Sequence, residues 1–107
     1  MKAMLSIKPE YVAKILSGEK RYEFRRRIFS RKDVDAIVIY STSPESSVVA
    51  EVGVTGIISG TPQEVWEQTG RSSGITQSKF MSYFAGVEEA HAIELGAVDV
   101  FEPPLPL

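Results

Sequence analysis

Lys20, Glu23 and Arg25 stand close together in the run Gly18-Glu19-Lys20-Arg21-Tyr22-Glu23-Phe24-Arg25-Arg26-Arg27. A lysine beside a carboxylate can exchange a proton if burial lowers the lysine pKa toward neutrality. Arginines can clamp a phosphate or stack on a base. The aromatic and charged residues of the run alternate, as in a strand with different chemistry on its two faces. With Tyr22 and Phe24 inward, Glu23, Arg25 and Arg27 emerge together on the opposite face. Lys20, directly after the glycine region, can turn to either side. The plain alternative is an exposed cross-strand ion pair between Glu23 and an arginine, worth under about 1 kcal/mol.

Other chemistries find little support. His91 is the one histidine and there is no cysteine, so thiolate chemistry and disulfides are excluded. A zinc site would have to be built almost wholly from carboxylates, and no metal or cofactor is expected. His91 reads as a partly exposed residue at the start of a strand. No Gly-rich phosphate loop, Gly-x-Ser-x-Gly elbow or His-Glu-x-x-His helix is present.

The elements that must position the run are short. Ala3 to Ile7 is apolar enough for an opening strand. Pro9 suits the first turn of a helix whose apolar face is Tyr11, Val12, Ile15 and Leu16, and Gly18 stops it. Lys20 to about Ile28 then returns as a strand. Ala36 to Tyr40 is a continuous apolar run, read as a central strand. From Val48 to Ile58 the pattern has period two, interrupted by Gly53 and Gly56, which mark bends where a sheet curls.

Thr61-Pro62-Gln63-Glu64 has capping-box spacing and opens a second helix, with Val65 and Trp66 inward and Gly70 as its close. A glycine- and serine-rich loop spans Arg71 to Thr76. Phe80, Met81, Tyr83 and Phe84 then form the apolar side of a third helix ending near Gly86. A last strand runs from about His91 to Phe101, with a bulge expected at Gly96, and Pro103 to Leu107 reads as an extended tail that leaves open whether the chain continues. Five strands and two or three short helices predict an α+β fold, a small mixed and mostly antiparallel β-barrel. Residues 1–107 read as one domain.

Charge is unevenly spread over the 107 residues, whose net charge is -2. Ten basic residues lie in the first 35 positions against five acids (Glu10, Glu19, Glu23, Asp33, Asp35). After position 35, Arg71 and Lys79 stand against nine acids. A concentrated basic segment makes a local phosphate-attracting patch; the alternative is a solvated face balanced by acids folded against it. No apolar run approaches the roughly 18 residues needed to span a bilayer, and no signal-peptide pattern opens the chain, so a cytoplasmic protein without membrane association is expected.

Leu5-Ser6-Ile7-Lys8-Pro9, the helix through Ile15-Leu16, and Gly18-Glu19-Lys20-Arg21-Tyr22-Glu23-Phe24-Arg25 resemble the opening of ASCH domains, whose signature is close to Gly-x-Lys-x-x-Glu-x-Arg. Phe80 to Phe84, Ala92 to Leu95 and Phe101 to Pro104 also resemble that family. The resemblance implies a PUA-like β-barrel with a cleft beside the first helix, lined by Lys20, Glu23 and Arg25, in a superfamily associated with RNA. RNA or a nucleotide is the expected partner, with Lys8, Tyr22, Arg27 and Tyr40 also on the binding surface. Specific recognition of duplex DNA is not expected, because no helix-turn-helix is evident.

Some ASCH proteins are similar to amidohydrolases acting on N4-acetylcytidine, which pair the motif lysine with a threonine three positions later. Here Glu23 takes the threonine's place, and a carboxylate cannot form the same acyl-enzyme ester. The alternative to a binding domain is therefore a hydrolase acting on a modified nucleoside or on RNA, in which Glu23 activates water and Lys20 stabilises the oxyanion.

Overall fold

The computed structural model describes residues 1–107, in the order β1 (Lys2–Ile7), α1 (Pro9–Ser17), β2 (Tyr22–Arg25), β3 (Ala36–Ser41), β4 (Ser47–Gly60), α2 (Pro62–Thr69), a 3₁₀ turn (Gly70–Ser72), α3 (Gln77–Tyr83) and β5 (Ala90–Leu105). One sheet runs β1-β3-β4-β5-β2. Only β1 against β3 is parallel; every other pair is antiparallel. This is the expected α+β, mostly antiparallel five-strand arrangement. Its backbone ladder is open between β1 and β2, where Arg25 Nη2 donates to the Ser6 carbonyl at 3.4 Å.

β3 is an interior strand, as its apolar run implies, and β4 stands in the middle of the five. β1 alone lies outside β3; β4 is the strand whose second ladder is taken by the long β5. Register shifts in β4 fall between Val52 and Val54 and between Val54 and Gly56, the bends expected at Gly53 and Gly56. Gly96 lies opposite the first shift, and a Cβ there would meet Thr55 Cγ2 at 2.8 Å. The expected C-terminal tail is instead the end of β5, with Leu105 paired to Val48.

Two apolar clusters hold the site between them. Val12 and Ile15 of α1 pack with Ile37 and Ile39 of β3, Val52 of β4 and Ile93 of β5. Phe24 of β2 packs with Val65 of α2, Phe80 of α3, Phe84 and Ala92. The Phe24 ring meets Phe80 edge-on at 4.9 Å, a favoured aromatic geometry. β2, at the sheet edge, thus lies between α1 and α3.

The helix signals act as expected at Gly18 and at Thr61–Glu64, and the structure adds a cap at Thr76. Gly18 closes α1 at φ 85°, in the left-handed region. Thr61 and Glu64 form a reciprocal capping box at α2. Thr76 caps α3 by accepting from the Lys79 N–H. Gly70 closes α2 as expected, though at φ -53° rather than in a left-handed turn, and a Cβ there would approach the Trp66 ring to 2.9 Å. His91 is buried rather than partly exposed, its Nδ1 2.7 Å from Ser59 Oγ, because β2 and β4 both flank this end of β5.

Candidate functional site

β2 is shorter than the sequence implies. It ends at Arg25, and Arg26-Arg27 form a bend, so the strand alternation that would carry Arg27 beside Arg25 stops first. Within β2, Phe24 joins the core toward α2 and α3 while Glu23 faces the other way. Both are buried.

A cleft of about 590 Å³ opens beside α1, between it and α3, with Lys20, Glu23, Phe24 and Arg25 among its lining residues. Tyr11 lines it from α1 and Tyr83 from the end of α3. Lys8, Lys20, Arg25, Arg26 and Lys79 contribute positive charge to it against Glu10 and Glu23. Five cations against two carboxylates give it a positive balance in a chain that is negative overall.

Lys20 is 3% exposed, although it is a lysine. Its Nζ donates to the Ser73 carbonyl at 2.7 Å and lies 4.5 Å from the Phe24 ring centre and 5.3 Å from that of Tyr11. Burial pushes its pKa down to about 8; the nearby Glu23 carboxylate opposes the shift and Lys14 adds to it. One of its three N–H groups is thus taken by the loop.

The loop after α2 is built to hold this lysine. Ser73 is fully buried, and its single O–H lies within reach of both the Gly70 and Ile75 carbonyls, at 2.9 and 3.0 Å, which fixes the turn. Gly74 has φ 71°, and a Cβ there would lie 2.6 Å from Lys20 Cβ and 2.9 Å from its Cγ. The loop therefore lies directly on the lysine stem. Lys14 Nζ donates to the Gly74 carbonyl at 2.9 Å, and the Arg21 N–H to the Ser72 carbonyl at 2.8 Å.

Glu23 is 8% exposed. Its one close protein partner is Arg25 Nε, 3.4 Å from Oε2, and that buried N–H makes no aligned hydrogen bond. Burial raises the Glu23 pKa, with the charges of Lys20 and Arg25 opposing the rise. The carboxylate is a hydrogen-bond acceptor that the protein itself leaves without a donor.

Of the residues singled out in the sequence, Lys8, Lys20, Glu23 and Arg25 are brought together in the cleft. Tyr22, Arg27 and Tyr40 are not. Tyr22 packs on the aromatic cluster through the face of β2 opposite Glu23, Tyr40 on β3 does not line the cleft, and Arg27 is an exposed bend residue. Sequence reasoning missed Tyr11, Arg26, Lys79 and Tyr83. Tyr11 and Tyr83 sit among apolar residues and read as core; their half-exposed rings were the only sign otherwise, and it is visible only in three dimensions. Arg26 stacks on Tyr83, its guanidinium carbon 4.3 Å from the ring centre, while its Nε donates to the Tyr83 carbonyl at 2.8 Å. No cluster of three or more histidine, cysteine, aspartate or glutamate residues suited to a metal is present.

A family model described as the ASCH domain matches residues 5–104. An "ASCH domain-containing ribonuclease" of Zymomonas mobilis is 36% identical over 93 residues, which make up 87% of this chain and 63% of that protein. The chain thus spans less than two thirds of this curated relative's length. The crystal structure of ASCH from Zymomonas mobilis is similar with a TM-score of 0.90 and 33% identity, covering 99% of this chain and 73% of that one. Hypothetical protein PH0355 shares the fold at a TM-score of 0.66 and 21% identity, covering 90% of this chain and 98% of its own.

Proposed function

The chain belongs to the ASCH domain family, and from that premise we propose that its cleft binds single-stranded RNA, with phosphates on the rim and a base directed to the floor. The observation that carries this reading is the convergence of Lys8, Lys20, Glu23 and Arg25, far from one another in surface character, on one concave and positively charged cleft. Lys8, Arg26 and Lys79 are exposed and suit phosphates. The half-exposed rings of Tyr11 and Tyr83 offer flat surfaces of the kind on which unpaired bases stack.

Fluorescence anisotropy with a labelled single-stranded 12-mer tests it. Affinity falls steeply as salt rises from 50 to 300 mM, and Lys8→Ala and Lys79→Ala each flatten the salt slope by roughly 0.7. Arg27→Ala, outside the cleft, leaves the slope unchanged. Absence of RNA affinity at 50 mM salt overturns the reading.

A second reading, cleavage of RNA, is favoured by the name of the 36% identical relative and by the burial of Lys20. Lys20 would stabilise negative charge growing on a phosphate while Glu23 takes a proton from the attacking hydroxyl or water; the new P–O bond forms as the P–O5′ bond breaks, and the 5′ oxygen leaves with a proton from solvent. Incubation of unstructured RNA with wild type and with Lys20→Ala decides it. Equal cleavage by the two removes Lys20 from the chemistry.

A further inference from the structure

Glu23 is an acceptor without a donor. The Glu23 side chain is about 10% exposed and lines the cleft, so its oxygens meet solvent there and can take a donor from a bound ligand. Here the protein supplies only Arg25 Nε, at 3.4 Å and out of alignment. Glu23 and Lys20 both line the cleft without a direct ion pair between them, and Lys20 Nζ gives one of its three N–H groups to the Ser73 carbonyl. The floor thus presents two acceptor oxygens beside a cationic donor.

That pattern discriminates among nucleobase edges. Cytosine and adenine each offer one exocyclic amine beside a ring-nitrogen acceptor, so a second carboxylate oxygen would face a lone pair. Uracil offers one N–H flanked by two carbonyls. Guanine alone sets two donors side by side, N1–H and the N2 amine, with the O6 acceptor next to them. A carboxylate accepting both makes a bidentate, charge-assisted pair, and a lysine N–H serves O6.

We propose that Glu23 makes the cleft floor a guanine-selective base subsite, with Lys20 as the donor to O6. The proposal rests on the reading of the cleft as a site for single-stranded RNA. It assigns Glu23 to recognition rather than to proton transfer, and so separates the two uses of that residue.

The test uses oligouridylate 9-mers with one central guanosine, inosine, adenosine, cytidine or uridine, titrated at 50 mM salt against the wild-type protein. Inosine keeps N1–H and O6 and lacks only the N2 amine. The guanosine oligomer binds roughly tenfold to a hundredfold more tightly than the inosine one, the range for a hydrogen bond to a charged group. In Glu23→Gln that ratio collapses toward one, because the amide presents one acceptor and a donor that opposes the base amine. Equal affinity for all five oligomers, or a preference for cytidine or adenosine, overturns the proposal and leaves the RNA cleft standing. No binding of any oligomer removes both. The wild-type guanosine-to-inosine ratio needs no variant, so a folding defect in Glu23→Gln does not blunt the test.

Discussion

Gly74→Ala tests whether the loop on Lys20 is as tight as its geometry implies. The residue sits at φ 71°, where a side chain costs about 1–2 kcal/mol. The new Cβ would also fall 2.6 Å from Lys20 Cβ and 3.2 Å from its Cα, atoms close to the backbone that no rotamer change removes. Overpacking of this kind adds about 1–3 kcal/mol. Together the two give roughly 2–5 kcal/mol, or a fall in Tm on the order of 10–20 °C for a domain of this size. Gly86→Ala is the internal control: its φ is 78°, but nothing lies within 4 Å of its added Cβ. It carries the conformational part alone. Urea or thermal unfolding of the two variants beside wild type, followed by circular dichroism, measures the difference. If Gly74→Ala is no less stable than Gly86→Ala, the close packing of this loop on the lysine stem is refuted.

Lys20 gives a pH signature. Its folded pKa of about 8 lies below the ordinary 10.5, so between those values the unfolded chain binds more protons and stability rises with pH. The stability of wild type relative to Lys20→Met should therefore improve by about 3 kcal/mol from pH 7 to pH 11, at 1.36 kcal/mol per pKa unit; a flat difference refutes the shift. Glu23 works in the opposite sense: its raised pKa makes wild type lose stability relative to Glu23→Gln as pH climbs from below 4.5 through the folded value, read by urea titration at stepped pH. Thr61→Ala removes one half of the capping box at α2 and should lower stability by about 1 kcal/mol without changing RNA affinity. Arg26→Ala removes both the stacking on Tyr83 and a rim cation, and should weaken binding of single-stranded RNA several-fold while Arg27→Ala does not.

Much of the scaffold was readable from local signals. Pro9 and Gly18 bracket α1, and Thr61 to Glu64 opens α2, because capping involves residues a few positions apart. Strand alternation and the glycine bends of β4 were visible for the same reason. Strand order was not: β3 is interior as its apolar run implies, but the place of β4 in the middle and of β2 at the far edge depends on the long ladder between β4 and β5. The end of β2 was misjudged because a strand at the sheet edge continues only while its single neighbour offers a partner, and the ladder to β5 stops at His91 and Arg25.

The sequence alone determined which groups are available for chemistry: Lys20, Glu23 and Arg25 in the stretch just after a glycine stop, and neither thiols nor a histidine cluster. Only the tertiary structure decided their state. Lys20 is depressed to about 8 because Tyr11, Phe24 and the Ser73-Gly74 loop, the last more than fifty positions away, exclude water from it. Glu23 is left without a donor because the strand turns it into the cleft while its neighbour Arg25 reaches toward Ser6. Desolvation and unmet hydrogen bonds arise from groups distant in the chain, so no local pattern of residues specifies them.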